Sequence, residues 1–459
     1  MSAIEKFLEA SENKAFDVVH RKTIQYNITQ YDKKVIQGKQ QFSNLELAKT
    51  RAAFLKQKAI DNLEKYLIEF EGNFTRRGGK VIWAQDAEEA VKESLQIMKR
   101  VNAKTVVKAK SMVTEEVDFN HALEEKGIES IETDLGEYIV QLRNEPPYHI
   151  VTPAMHLSKE DVAKTFEEKK NTAPNLSPEQ VTDFVRKELR NRYSKAEVGV
   201  SGGNFLIADI GAVAVTENEG NGLLSAAFPK IQIAIVGIEK MIPSLVDLDL
   251  FWPLLSTHGT GQNLTVYNTI YTGPKQTGET DGPEEMYIIL LDNGRTKLLA
   301  ETEQRRALSC IRCGACLNAC PVYQTIGGHA YGTTYSGPIG SIITPHFQGM
   351  QEFKHLSYAS TLCGKCTEVC PVKIDIHKLL LLNRKLSVDT GLSPKTENWI
   401  WLFWKKAMLK RNKMDKGGAK IKNFMLKQFF KKQWGERRDL PKVAPKSFNQ
   451  LWRERKGLK

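Results

Sequence analysis

All seven cysteines of the chain lie between positions 310 and 370, and that clustering constrains the fold more than any other feature. The first run is Cys310-x2-Cys313-x2-Cys316-x3-Cys320-Pro321, and the second is Cys363-x2-Cys366-x3-Cys370-Pro371. The first has the spacing of bacterial ferredoxins, in which three thiolates wrap one face of a cubane iron–sulfur cluster and the fourth reaches across to a second cluster. The proline after it has no N–H to donate and halts a regular continuation. A lone C-x-x-C would equally suit a zinc ribbon or a redox dithiol. Four cysteines ending in Cys-Pro, followed by a second Cys-Pro run, favour iron–sulfur over zinc. A disulfide framework does not fit a long chain without a secretory signal whose cysteines crowd as metal thiolates do.

By the same crossing rule, Cys310, Cys313 and Cys316 with Cys370 are expected to hold one cluster, and Cys363 and Cys366 with Cys320 the other. The second set is one cysteine short, because Ser360 stands three positions before Cys363. Two outcomes are open. Cluster two is either a [4Fe-4S] cluster whose last iron takes Ser360 oxygen, water or another group, or a [3Fe-4S] cluster that needs no fourth ligand. An alkoxide is harder and more basic than a thiolate, so serine-ligated iron is expected to be less readily reduced. The plainer reading makes Ser360 a local cap that touches no iron.

The net charge of +12 conceals an asymmetry. From Trp399 to Lys459 there are 14 Lys and 5 Arg against 2 Asp and 2 Glu, a balance of +15 that leaves −3 for everything before it. Five of the seven tryptophans, Trp399, Trp401, Trp404, Trp434 and Trp452, share that tail. Such a segment suits an acidic membrane face or a protein partner. Nucleic acid is not expected, since no recognised binding motif accompanies the charge. No stretch approaches the roughly 18 apolar residues that span a bilayer. Met1 to Lys6 begin no apolar signal core, so a cytoplasmic, reducing setting is expected, with peripheral contact to the inner membrane face through the tail.

Residues 1–72 read as a helical arm, with Leu45, Ala48, Ala52, Leu55, Ala59 and Leu63 recurring near the 3.6 period. Short strands at 80–84, 105–109 and 128–131 alternate with helices at about 86–101 and 114–126, which predicts an α/β domain with parallel strands over 73–297. Asp86 and Glu89 have capping-box spacing. Further strands are expected at 205–208, 212–216, 232–236, 264–269 and 286–291. A helical dicluster ferredoxin domain is expected over 298–390, gripping its clusters at helix starts. It contains a Gly/Pro-broken loop from Gly327 through Pro345 and a helix over 374–386. The remainder, 391–459, reads as basic amphipathic helices split by Gly417-Gly418 and Pro441/Pro445.

Polar runs at strand ends are the usual ligand position in such sheets. Candidates are Ser111 to Glu116, Glu132 to Glu137, Ser201-Gly202-Gly203-Asn204 and the turn His258-Gly259-Thr260-Gly261 with Gln262. Carboxylates 115, 116, 132, 134 and 137 are suited to acid–base work if burial raises a pKa. Catalytic residues cannot be named from sequence. No P-loop, flavin or nicotinamide fingerprint is present.

Seven segments together resemble the lactate utilization protein B family, iron–sulfur proteins of bacterial L-lactate oxidation: KSMVTEEVDF (110–119), ETDLGEYIVQL (132–142), GGNFLIADIG (202–211), VYNTIYTGP (266–274), CIRCGACLNACPVY (310–323), GGHAYGTTYSGPIG (327–340) and LCGKCTEVCPVKI (362–374). The resemblance implies an isomerase/CoA-transferase-like lactate-utilization domain, a helical two-cluster ferredoxin domain and a C-terminal extension. It implies two companion proteins that act with this one in oxidising L-lactate to pyruvate, this chain carrying electrons. It also implies that Ser360 is a family feature. The alternative is that the α/β domain itself binds and oxidises a hydroxy acid, with the clusters as direct acceptors.

Overall fold

The computed structural model describes residues 1–410, 413, 417–435 and 439–457. The chain divides into two compact units, Met1–Ser387 and Val388–Lys459.

The first unit is organised on a six-stranded sheet, with neighbours in the order β1-β10-β7-β4-β2-β3. The strands are β1 (Lys80–Ala84), β2 (Thr105–Lys108), β3 (Glu129–Glu132), β4 (Val198–Ser201), β7 (Ile231–Gly237) and β10 (Glu285–Leu291). Every pairing is parallel. Parallel strands need crossovers and are covered on both faces, so their central members are continuously apolar. All seven residues of β7 are buried accordingly. One face packs on helices Ala87–Arg100 and Met112–Glu116. Toward the β3 edge lie helices Leu135–Arg143, Lys159–Lys170 and Pro178–Lys195. The other face meets helix Leu63–Arg76 and a smaller sheet ordered β8-β5-β6-β9. That sheet comprises β5 (Phe205–Ile207), β6 (Ala212–Glu217), β8 (Met241–Ile242) and β9 (Tyr267–Tyr271).

A single apolar core joins the N-terminal helices to the cysteine region, through Ile24, Ile28, Phe205, Phe251, Leu308, Leu317, Ile342 and Leu380. The α/β body and the cysteine loops are therefore packed against each other.

Several sequence expectations need correction. The helix expected over 114–126 is two short ones, Met112–Glu116 and Phe119–Glu124, because Asp118 takes a left-handed φ of 51°. The strand expected at 264–269 lies at Tyr267–Tyr271. Asp86 caps its helix by accepting from Glu89 N, but Glu89 reaches back to Gln85 N, so no reciprocal box forms. The broken loop through Pro345 contains an eleven-residue helix, Gly337–Phe347. Pro338 sits in its first turn, where no N–H is needed. Pro345 would orphan the Ser341 carbonyl, which accepts from Ser357 Oγ at 2.8 Å instead.

The second unit carries helices Lys395–Met408, Gly418–Trp434 and Phe448–Lys456. Of the tail cations, Arg411, Lys416, Arg437, Arg438 and Lys459 lie outside the described residues. No described helix is long and apolar enough to cross a membrane.

Candidate metal centre

The two cysteine runs are one loop built twice, fifty residues apart. Arg312 and Leu362 both take left-handed backbone (φ 61° and 55°), as do Gly314 and Gly364 (φ 79° and 81°). Each glycine opens a four-residue helix, Ala315–Asn318 or Lys365–Glu368. The hydrogen bonds repeat too. Leu317 N and Thr367 N donate to the Gly314 and Gly364 carbonyls at 2.9 and 3.0 Å, and Ala319 N and Val369 N to Ala315 and Lys365 at 3.1 Å each. Glycine suits this backbone, and at Gly314 a Cβ would also come within 3.0 Å of His149 Cε1. The consecutive turns aim amides at the sulfurs: Arg312 N donates to Cys310 Sγ at 3.4 Å and Ile374 N to Cys370 Sγ at 3.3 Å.

Burial and mutual repulsion raise the buried thiols. Burial, then the Cys310 thiolate, push the Cys313 thiol up, with Cys370 adding to the effect. Burial, Cys310, Cys313, Cys370 and Cys366 do the same to Cys316. Burial raises Cys370 to about 11, with Cys310 contributing. Cys366 is likewise raised by burial to about 11, and Cys320 and Cys363 act on it in turn. Burial raises Cys320 as well, with Cys363 as its thiolate neighbour. Cys366 also acts on Cys316, so the two runs of thiols adjoin. Cys363 alone of the seven is exposed, and the Lys365 amide hydrogen-bonded to it lowers its pKa.

Two buried donors beside the first set make no hydrogen bond of ordinary geometry among the described residues. His149 Nδ1 accepts from Val151 N and Thr152 N at 3.1 and 3.3 Å, so its proton sits on Nε2. That nitrogen is buried, on the ring that touches the Gly314 loop, with the Asn318 side chain as its polar neighbour and no hydrogen bond of ordinary geometry among the described residues. Burial holds His149 neutral, with a pKa of about 3. Arg312 Nη1 is orphaned in the same way. Buried donors normally find partners. An anionic cluster, whose sulfurs accept hydrogen bonds, fits both orphans and the converging thiols.

The surroundings of the first set are strongly cationic. Lys56, fully buried on helix Leu45–Asp61, donates to the backbone carbonyls of Glu239 and Met241 at 2.7 and 3.0 Å. Burial lowers it to about 7, opposed first by Glu239 and then by Cys310. Lys240 is buried beside it; burial lowers it to about 8, Arg312 adds to the lowering, and Glu239 and Cys310 oppose it. Arg312 Nη2 meets Glu239 Oε1 at 3.2 Å. Glu239 is also paired with Arg295, whose other nitrogens hold Glu116 at 2.8 and 2.9 Å. Burial opposes ionisation of Glu239, yet Arg295 and Arg312 hold its pKa near 2. Arg306 spans the cradle, donating to Val372 O at 2.8 Å and Gln57 Oε1 at 2.7 Å. Sequence reasoning found none of Lys56, Glu239, Lys240, Arg295 or His149. Each comes from an element far from the cysteines, and no spacing rule reaches across that distance.

The candidates in the α/β body are only partly brought together. Glu115, Glu132 and Glu137 converge on the fully buried Lys108, which lies 3.2 Å from Glu115 and 2.8 Å from Glu132. Burial, then Glu132 and Glu115, raise Glu137 well above the usual carboxylate range, and its Oε1 has no partner among the described residues. Lys108 already supplies the cation these carboxylates need. Glu116 leaves the group for Arg295. Asp134 lies 3.6 Å from Lys110. Ser111 caps a helix, Ser201 hydrogen-bonds Gln232, and Asn204 accepts from Thr216 N. The run at His258 is not a polar turn but the end of helix Leu248–Thr260, closed by left-handed Gly261. His258 is a core residue whose Nδ1–H donates to Leu254 O at 2.9 Å.

A parallel-sheet α/β body followed by a ferredoxin-like region with two cysteine loops in one register defines an iron–sulfur protein. Residues 67–291 match the LUD domain family and residues 306–374 match the 4Fe-4S dicluster domain family. The chain is 42% identical to lactate utilization protein B of Bacillus cytotoxicus, covering 88% of this chain and 87% of that one. It is 47% identical to lactate utilization protein B of Bacillus cereus, covering 75% and 72%. The chain belongs to the lactate utilization protein B family. A DUF162 family protein from Deinococcus radiodurans is similar at 12% identity and a TM-score of 0.29, over 50% of this chain and 98% of that one, a likeness too distant to carry any argument.

Proposed function

We propose that this chain is the iron–sulfur electron-transfer subunit of a complex that oxidises L-lactate to pyruvate, working with companion lactate-oxidation proteins. Two electrons and two protons leave lactate on a partner, and the electrons pass singly through this chain. In this reading Cys310, Cys313, Cys316 and Cys370 hold one [4Fe-4S] cluster. Cys320, Cys363 and Cys366 hold a second, with Ser360 oxygen as its fourth ligand. The bound clusters supply one-electron chemistry. The arm over 1–72 braces the body, 73–297 form the lactate-utilization domain, 298–390 the dicluster domain, and 391–459 a basic extension for peripheral contact with an anionic membrane face.

The observation that carries this reading is the fifty-residue register of the two loops. The residues then have defined tasks. The thiolates anchor iron. Amides of Arg312 and Ile374 donate to ligand sulfurs and stabilise their charge. Apolar Leu317, Ile339 and Ile342, all in the shared core, keep water from the first set.

The test is anaerobic iron and sulfide analysis with EPR before and after dithionite. About eight irons and two reduced four-iron signals are expected from two cubane clusters. About seven irons, with an oxidised three-iron signal under strict anaerobiosis, would overturn Ser360 ligation. Zinc in place of iron would overturn the whole reading. One observation favours a second reading, in which the α/β body oxidises the hydroxy acid: Glu137, whose carboxyl burial pushes well up and whose Oε1 has no partner among the described residues, lies near the strand ends. Lactate-dependent dye reduction by the isolated chain separates the two, since the electron-transfer reading expects none without companions.

A further inference from the structure

We propose that Lys56, Lys240, Arg306 and Arg312 form a built-in counter-charge that makes the Cys310/Cys313/Cys316/Cys370 set the more readily reduced centre, with the exposed Cys363 edge the place where electrons are exchanged with a redox partner. This rests on the two-cluster reading above and goes beyond it by assigning electron direction within the chain.

The argument begins with unbalanced charge. Among the described residues no carboxylate lies within salt-bridge distance of Lys56, Lys240 or Arg306. Lys56 is spent on backbone carbonyls and Arg306 on carbonyls and an amide oxygen. Arg312 has half of one carboxylate, since Glu239 is shared with Arg295. Arg295 is not available to help, because Glu116 takes its two terminal nitrogens. An uncompensated buried cation is costly. Several gathered around one loop of thiols imply an anion that belongs there. Arg312 stands between Cys310 and Cys313 and is tied to Glu239, whose carbonyl with that of Met241 holds Lys56 on either side of Lys240; Arg306 reaches Ser309 Oγ, next to Cys310, and Val372 O, two residues from Cys370, so the anion is the one these cysteines hold.

The second set lacks such a shell. Among the described residues the cations beside it are paired with carboxylates: Lys365, half exposed, with Glu368 at 3.0 Å, and Lys49, buried and donating to Glu368 O at 3.1 Å, with Glu46 at 3.0 Å. Charge in solvent is screened, whereas buried charge acts through a low effective dielectric. Burial alone would make an added electron harder to hold at the first set; the four cations reverse that sign. A serine oxygen at the second set pushes the same way, since a harder ligand disfavours the reduced form. An electron arriving at the exposed edge therefore moves inward. The second centre returns to its oxidised state as the first is reduced, and no proton or further reactant is required. The donor is a partner that delivers single electrons.

The test is an anaerobic potentiometric EPR titration of the reconstituted full chain. The signal lost in Cys363→Ala identifies the second set. The remaining signal should have the higher midpoint. Lys240→Met should lower that midpoint by at least tenfold in the reduction equilibrium, about 59 mV for one electron. The other signal should stay in place, and Lys240→Arg should restore the wild-type value. Arg306→Gln, on the Cys370 side, should shift the same signal in the same direction, which keeps the idea testable if Lys240→Met folds poorly. An unmoved midpoint in variants with full iron content would overturn the counter-charge, and a higher midpoint for the Cys363 set would overturn the direction. Failure of wild-type chain to bind iron would instead overturn the underlying cluster reading.

Discussion

Ser360 occupies in the second loop the place that Cys310 occupies in the first. Leu362 N donates to Ser360 Oγ at 3.1 Å, and Arg312 N donates to Cys310 Sγ at 3.4 Å, from equally left-handed residues. The bond to Ser360 looks like a simple local turn. Its counterpart is made by a cysteine in the iron-binding register, so the turn and metal ligation are compatible. Ser360→Cys should keep about eight irons and raise the potential of the second centre, because thiolate is the softer donor. Ser360→Ala should lose one iron or leave it exchangeable. Iron analysis and EPR of both variants check this, and identical spectra for alanine and wild type would make Ser360 a spectator.

The Glu116–Arg295–Glu239–Arg312 chain ties the α/β body to the first cysteine loop. Arg295→Met should destabilise the protein by roughly 3–5 kcal/mol, because it strands Glu116 and half of Glu239 in the interior. Adding Glu116→Gln should recover part of that loss by removing the stranded charge. Denaturant unfolding of the three proteins measures it. Equal stability of Arg295→Met and wild type would mean the network is dispensable.

These two cases show what was legible in the sequence. The cysteine spacing announced both loops because neighbouring ligands of one cluster must be close along the chain. The parallel sheet was legible where strands were bounded and apolar, as at 80–84 and 286–291. β4 was missed because Val198-Gly199-Val200-Ser201 is short and broken by a glycine. That glycine is required, since a Cβ there would lie 1.9 Å from Ser225 O. Nothing in the sequence around Lys56 marks it as buried; only tertiary packing turns it inward. The proline-bearing helix Gly337–Phe347 was hidden because its compensation, Ser357 to Ser341, comes from a separate segment.

The Lys108 group predicts a pH dependence. Burial raises the folded-state pKa of Glu137 well above its usual 4.5. Between the unfolded and folded values the native state binds the extra proton, so stability falls as pH rises through that window. Below pH 4.5 the contribution is fully present. Glu137→Gln carries no titrating group and should lack this fall, so the two proteins should differ more at pH 8 than at pH 4. Melting temperatures across that range decide it, and parallel curves would show that Glu137 titrates normally.

His258 predicts the opposite slope. Burial lowers its pKa from 6.5 to about 4, while its Nδ1 bond to Leu254 only partly opposes this. The unfolded chain therefore binds the extra proton between pH 6.5 and 4, and stability is lost on acidification at roughly 1.4 kcal/mol per pH unit. His258→Gln removes that contribution. Its stability should fall less steeply than wild type from pH 6.5 to pH 4.5, whatever its value at neutrality. Equal slopes would place the proton on His258 without penalty.

The extension supplies the last prediction. Trp399, Ile400, Trp401, Leu402, Phe403 and Trp404 are all exposed on helix Lys395–Met408, and the segment around them carries most of the positive charge. Exposed aromatic and basic residues together favour an anionic interface. The full chain should co-sediment with vesicles containing anionic lipid and release at high salt, because the basic contribution is screened. A chain ending at 390 should stay in the supernatant with unchanged iron content, since every cysteine lies in the first compact unit. Equal sedimentation of the two would refute membrane contact through the extension, and loss of iron on truncation would show that the tail instead supports the cluster region.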